Sequence, residues 1–174
     1  MGINLNLYTV SEQHVDAILA DPALAWKVLD HEDADTEDED AASFRLDEGE
    51  VQEIGLDKAW HGIHFLLTGS DWEGEAPLNF LLQGGIAVDE DDEESPRILH
   101  AAEVQEVNQA LSTLTADMLR ERFDPAVMQK LRIYPDTWDR GAEELDYCLY
   151  FFGTLQAFMA EAARRRCGVL IFIG

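Results

Sequence analysis

Two cysteines, Cys148 and Cys167, are all the chain carries. That is too few for a disulfide framework, so the fold must rest on an apolar core, with free thiols in a reducing cytoplasm as the simple reading. Positive charge is almost as scarce: 12 Lys and Arg stand against 36 Asp and Glu, a net charge of −24 at pH 7. A surface of that sign repels phosphate backbones and anionic lipid heads, which argues against nucleic-acid binding and polybasic membrane attachment and in favour of a basic protein partner.

Long hydrophobic runs are missing too. The most apolar stretch, CLYFFGTLQAFMA at residues 148–160, is interrupted by Gly153 and Gln156, short of the roughly 20 apolar residues a membrane helix needs. The opening MGINLNLYTV has no basic segment leading into an apolar one, so no signal peptide is expected. Asn6 stands where a myristoylation signal needs Ser or Thr, and the expected location is the cytoplasm. There is no G-x-S-x-G elbow, no Gly-rich phosphate loop and no dinucleotide fingerprint, so no nucleotide cofactor or common nucleophile class is indicated.

What is present is the material of one globular domain: 174 residues, 47 % hydrophobic and 28 % charged. Ile3, Leu5 and Leu7 alternate with polar neighbours as in a half-buried strand. Ser11 is placed to cap a first helix reaching Ala20, with Val10 and Val15 as a hydrophobic staple. Asp21 and Pro22 restart a helix, as do Asp124 and Pro125. Leu56, Trp60, Ile63 and Leu67 recur at helical spacing before Gly69, a C-cap. LNFLLQ, ended by Gly84 and Gly85, reads as a short helix; residues 86–88 and 97–99 read as strands, and 101–112 and 115–123 as helices. The longest helical pattern spans residues 143–166, and VLIFI at 169–173 reads as a fully buried strand. Strands near both ends with helices between them predict an α+β fold, one domain over residues 1–174, whose small mixed sheet includes the N- and C-terminal strands and is covered on a face by helices.

Acid is concentrated in two runs, seven carboxylates within residues 32–40 and six within 89–94. Packed like charges cannot form a core, so exposed, mobile acidic loops are expected near residues 31–53 and 89–95. The first run does not make a calcium loop: counted from Asp33, the sixth position holds Asp38 in place of Gly and the twelfth Phe44 in place of Glu.

The stretch DKAWHGIHFLLTG sets His61 and His64 three residues apart on one side of a helix, beside Lys58 and Trp60. Such a pair can share a metal, act in acid/base chemistry, or satisfy backbone groups inside a core. No third ligand accompanies it on that helix and the zincin spacing is absent, so no metal site is expected and the core reading leads. Tyr134 and Trp138, in the Pro-broken IYPDTWDRG, can line a pocket or cover a core. Cys148 lies on an apolar helix face and Cys167 at a helix C-terminus, both poor settings for a thiolate.

The order of segments is itself informative. LDKAWHGIHFLLTG, the Gly-Gly turn, SPRILHAAEVQEVNQAL, RFDPAVMQKLRIYPDTW, the long helix and GVLIFI together resemble the YfbM-like family of small bacterial proteins, a domain of unknown function. The resemblance covers nearly the whole chain and implies a single α+β domain, bacterial and cytoplasmic, with no established substrate or catalytic residues. His100 stands where that family's pattern would place a capping Ser or Thr, which weakens one expected helix start. If the family has a common site, the matching positions here are Lys58, Trp60, His61 and His64, then Tyr134 and Trp138. Two functions are expected from all this: first, a non-enzymatic acidic domain that binds a basic protein, of the immunity or inhibitor type; second, a small ligand-binding or hydrolase-like enzyme with its pocket near His61 and His64. The pattern sets no oligomeric state.

Overall fold

The computed structural model describes residues 2–31 and 44–174. The whole of the first acidic run, residues 32–40, therefore lies outside the described residues. Within them the chain forms β1 (Leu5–Val10), α1 (Glu12–Ala20), α2 (Ala25–Leu29), β2 (Glu53–Gly55), α3 (Trp60–Thr68), β3 (Ile86–Ala87), β4 (Arg97–Leu99), α4 (Ala101–Ser112), α5 (Ala116–Arg122), α6 (Pro125–Lys130), α7 (Ala142–Arg164) and β5 (Gly168–Ile173). The strands make one sheet in the order β2-β1-β5-β4-β3, a single α+β domain with the two end strands side by side at its centre.

The pairing corrects the expected mixed sheet. All four pairs are antiparallel, with Leu7 opposite Ile171 in β1–β5 and Ile98 opposite Leu170 in β4–β5. A side-chain period of two is common to both strand directions, so the pattern never carried that information. The helical cover also differs, since it lies on both faces. Leu5, Leu7, Leu99, Val169 and Ile171 pack with α3, α4 and α7, whereas Tyr8, Val10, Ile98 and Leu170 pack with Val15, Ile18 and Val28 of α1 and α2. Burial on both sides explains the unbroken apolar run of β5 without any parallel neighbour.

Local signals explain most helix ends. Thr115 and Asp124 cap α5 and α6 by accepting from the Met118 and Val127 amides, and Gly69 closes α3 at φ 75°. Ser11 makes no such bond. At α4 the expected weak start is made good from elsewhere: the Glu12 carboxylate accepts from the Ala101 amide at 2.9 Å, and Glu103 accepts from the His100 amide at 3.3 Å. LNFLLQ is not a helix but consecutive turns, bonded Phe80 to Pro77 and Gln83 to Asn79. Six residues are too few to nucleate a helix unaided, and the Arg97 guanidinium instead takes the carbonyls of Phe80, Leu81 and Gly84.

The exposed stretch expected through residue 53 is interrupted: Asp47, Glu48, Gly49, Gln52 and Glu53 are exposed, with buried residues beside and among them. Phe44 and Glu50 are buried, with the Phe44 ring 4.5 Å from that of His14 and the Glu50 carboxylate against His14 Nδ1. The second acidic run is exposed from Glu90 to Glu94. It is shaped by turns in which Asp89 and Asp92 carboxylates accept from the Asp91 and Glu94 amides.

Candidate functional site

Helix α3 is apolar on every side, and all of its residues from Trp60 through Leu67 are buried, the character of a helix enclosed by its neighbours. Both histidines therefore sit inside the protein. His61 Nε2 donates to the Asp71 carbonyl at 2.7 Å, and its Nδ1 accepts from the Tyr134 amide at 2.8 Å. A carbonyl only accepts and an amide only donates, so the neutral tautomer is fixed by its surroundings. His64 Nε2 donates to the Glu73 carbonyl at 2.7 Å, while its buried Nδ1 has no partner among the described residues.

Burial is the main reason that both rings resist protonation. Their bonds to the loop carbonyls and the charge of Asp71 act in the opposite direction but do not overcome it. His64 is lowered to about 4, with His61 and Arg97 adding like-charge repulsion. At neutral pH the two imidazoles are uncharged clasps that fasten residues 71–73 and the Tyr134 segment to α3.

Around them stands an aromatic stack. Trp60 lies between His61, 5.1 Å and 12° away, and Tyr134, 5.5 Å and 25° away, and Trp72 covers His61 at 4.5 Å. The Trp60 indole donates to the Ile3 carbonyl and the Tyr134 hydroxyl accepts from the Ile3 amide, each at 2.9 Å. Trp72 and Ile3, 51 % and 47 % exposed, form the outer face of this cluster.

Of the other two candidates, Lys58 reaches the edge of the stack, since a Cβ at Gly2 would meet both its Cε and the Tyr134 hydroxyl, and Trp138 packs against Gly62. Trp138 is 1 % exposed, donates from its indole to the Ile133 carbonyl at 2.7 Å and presses on Gly62. A Cβ at Gly62 would stand 2.5 Å from the Trp138 ring and 2.8 Å from Cys148 Sγ. Lys58 is exposed; its amide donates to the Tyr147 hydroxyl at 3.2 Å, and that hydroxyl donates to Asp57 at 2.5 Å. Burial and this bond to a carboxylate raise the Tyr147 phenol.

Thiol chemistry has no support here: burial pushes Cys148 up to about 12 and also raises Cys167. Among the described residues no group of three or more His, Cys, Asp or Glu is arranged around a metal position. With both His61 nitrogens and His64 Nε2 occupied, His64 Nδ1 is the nitrogen of this pair left without a partner among the described residues, and it is enclosed.

Three features escaped the sequence reading. Trp72 is an exposed aromatic in a loop, a signal that was there to use. The buried His14–Glu50 pair joins residues 36 positions apart, with no local pattern to reveal it. Burial tends to raise Glu50, but the nearby Ser11 hydroxyl and the hydrogen bonds from the Asp47 amide and His14 together hold it below the usual carboxylate range. The third is Arg97, whose guanidinium is lowered to about 10 by burial and still charged at neutral pH.

The family model described as a domain of unknown function (DUF1877) matches residues 1–172. The solved structure of YfbM, a protein of unknown function from Escherichia coli, matches at a TM-score of 0.70 and 16 % identity, covering 98 % of this chain and 99 % of that one. At that identity the likeness is one of fold. No curated protein matches the chain.

Proposed function

The chain belongs to the DUF1877 family of unknown function, so its activity has to be read from its own residues, and we propose that it is a non-enzymatic acidic domain that binds a basic protein. The observation that carries this reading is where the few cations go. Arg97, Arg122 and Arg165 spend their guanidinium groups on backbone carbonyls. Among the described residues, ion pairs to Arg engage Asp117, Glu144 and Glu161 only. None reaches Glu90, Asp91, Asp92, Glu93 or Glu94, five successive exposed residues.

A solvent-facing patch of uncompensated carboxylate accelerates encounter with a basic surface and adds specificity by repelling acidic ones. A partner that itself binds nucleic acid would be countered by a face of the same sign as its substrate, the arrangement of an immunity or inhibitor protein. Capture from the native lysate, washed in steps of rising salt, tests this. One dominant basic protein released early is the expected result, because exposed charges are screened over about 10 Å at 0.1 M salt. A set of captured proteins that does not change between low and high salt overturns it.

A further inference from the structure

We propose that the open edge of β2, with the groove between it and α7, receives an extended basic segment of the protein partner as an added strand; this rests on the binding function proposed above. The argument begins with the ladder. Thr9 donates to the Gln52 carbonyl and Leu56 to the Leu5 carbonyl, and Leu7 stands opposite Ile54. Bonded pairs alternate along an antiparallel ladder, so Gln52, Ile54 and Leu56 face β1, while the amide and carbonyl groups of Glu53 and Gly55 point outward. β2 ends the sheet, and no hydrogen bond to those outward groups is made among the described residues. They lie two residues apart, about 7 Å along the strand, which is the repeat a docking strand presents.

Beside this edge is an open groove of about 610 Å³. Ile54, Phe158, Thr154 and Ala157 line it together with Glu53 and Glu161; Glu161 is paired with Arg164, so Glu53 is the carboxylate left without a cation on this lining. The same stripe of α7 continues into Tyr147, Phe151 and Tyr150, whose rings meet edge to face at 5.1 Å, and Tyr150 is 71 % exposed. A strand whose side chains alternate apolar and basic fits these surroundings, with apolar side chains entering the groove and basic ones beside Glu53. The chain's overall charge excludes an acidic occupant.

The test uses the full-length ¹⁵N-labelled protein and a synthetic peptide alternating lysine with valine. A matched peptide, N-methylated at every amide, keeps the charge and side chains but has no backbone N–H on either edge with which to pair. The unmodified peptide should move the Glu53 and Gly55 amide resonances and slow their hydrogen exchange. Binding should weaken about tenfold or more on N-methylation, the size of one or two net hydrogen bonds, and similarly with Ala157→Trp, an exposed substitution that fills the groove. Equal affinity for both peptides, with shifts confined to residues 90–94, overturns the strand-addition inference and leaves the acidic binding function standing. Absence of binding by either peptide at low salt overturns the inference as well, and shows β2 to be an edge blunted by its shortness and its glutamate; lysate capture decides the binding function separately.

Discussion

Protonating His64 means placing a cation where its surroundings offer a fixed carbonyl on one nitrogen and nothing on the other. The folded ring is harder to protonate than the unfolded one, with a pKa of about 4 against the ordinary 6.5. The unfolded chain therefore binds more protons below pH 6.5, and stability is lost as pH falls from about 6.5 to about 4, with no contribution from this residue above that window. His64→Gln isolates the effect, because its amide can still donate to the Glu73 carbonyl but does not titrate. Wild type should lose roughly 2 kcal/mol relative to this variant across the window, a figure reduced for residual solvation of the ring. Parallel urea-unfolding midpoints for the two proteins from pH 7 to pH 4 would refute that account. On the same helix, Gly62 is a packing position. Gly62→Ala drives a methyl into Trp138 and Cys148 and should cost about 1–3 kcal/mol in denaturant unfolding despite the better helix propensity of alanine. A neutral or stabilising result would mean that Trp138 is free to move aside.

At the scale of elements, the turns over residues 76–83 depend on one side chain from a neighbouring strand. Arg97→Met removes the donors for the Phe80, Leu81 and Gly84 carbonyls and should destabilise by at least about 2 kcal/mol, since buried acceptors are left unmet. Arg97→Lys should recover little of this, because an ammonium lacks the planar fork that spans several carbonyls. Full rescue by lysine would show that charge alone matters there. The same contact shows why some of the fold could be read from the sequence and some could not. Helices α3, α4, α5, α6 and α7 and strands β1, β4 and β5 carry their period in adjacent residues, and α3, α5 and α6 a cap as well, so they were legible with shifts of a few positions at their ends. The turns at 76–83 look helical in isolation and are decided by an arginine farther along the chain. Strand direction was illegible for the reason given by the period of two. In the candidate site, the proximity of His61, His64 and Trp60 was legible as helical spacing. The carbonyls of Asp71 and Glu73, the Tyr134 amide and the cover from Trp72 come from other segments, and they decide what the imidazoles do.

For the whole molecule, the same carboxylates should act on stability and on binding with opposite salt dependence. A net charge of −24 makes the compact state repel itself, so added sodium chloride should raise the unfolding free energy by roughly 1 kcal/mol or more. Most of that gain should arrive by a few tenths molar salt, where the screening length is already short, and this saturation separates screening from the steady strengthening of apolar burial by excluded salts. Partner capture should weaken over the same range. Replacing Asp91 and Asp92 by Asn and Glu93 by Gln should raise stability at low salt, flatten its salt dependence and reduce capture of a basic partner together, since one set of exposed charges causes all three. If the variant gained stability yet held its partner as before, the acidic loop at residues 89–94 would be a solubilising surface only, and recognition would have to rest on the β2 edge and its groove.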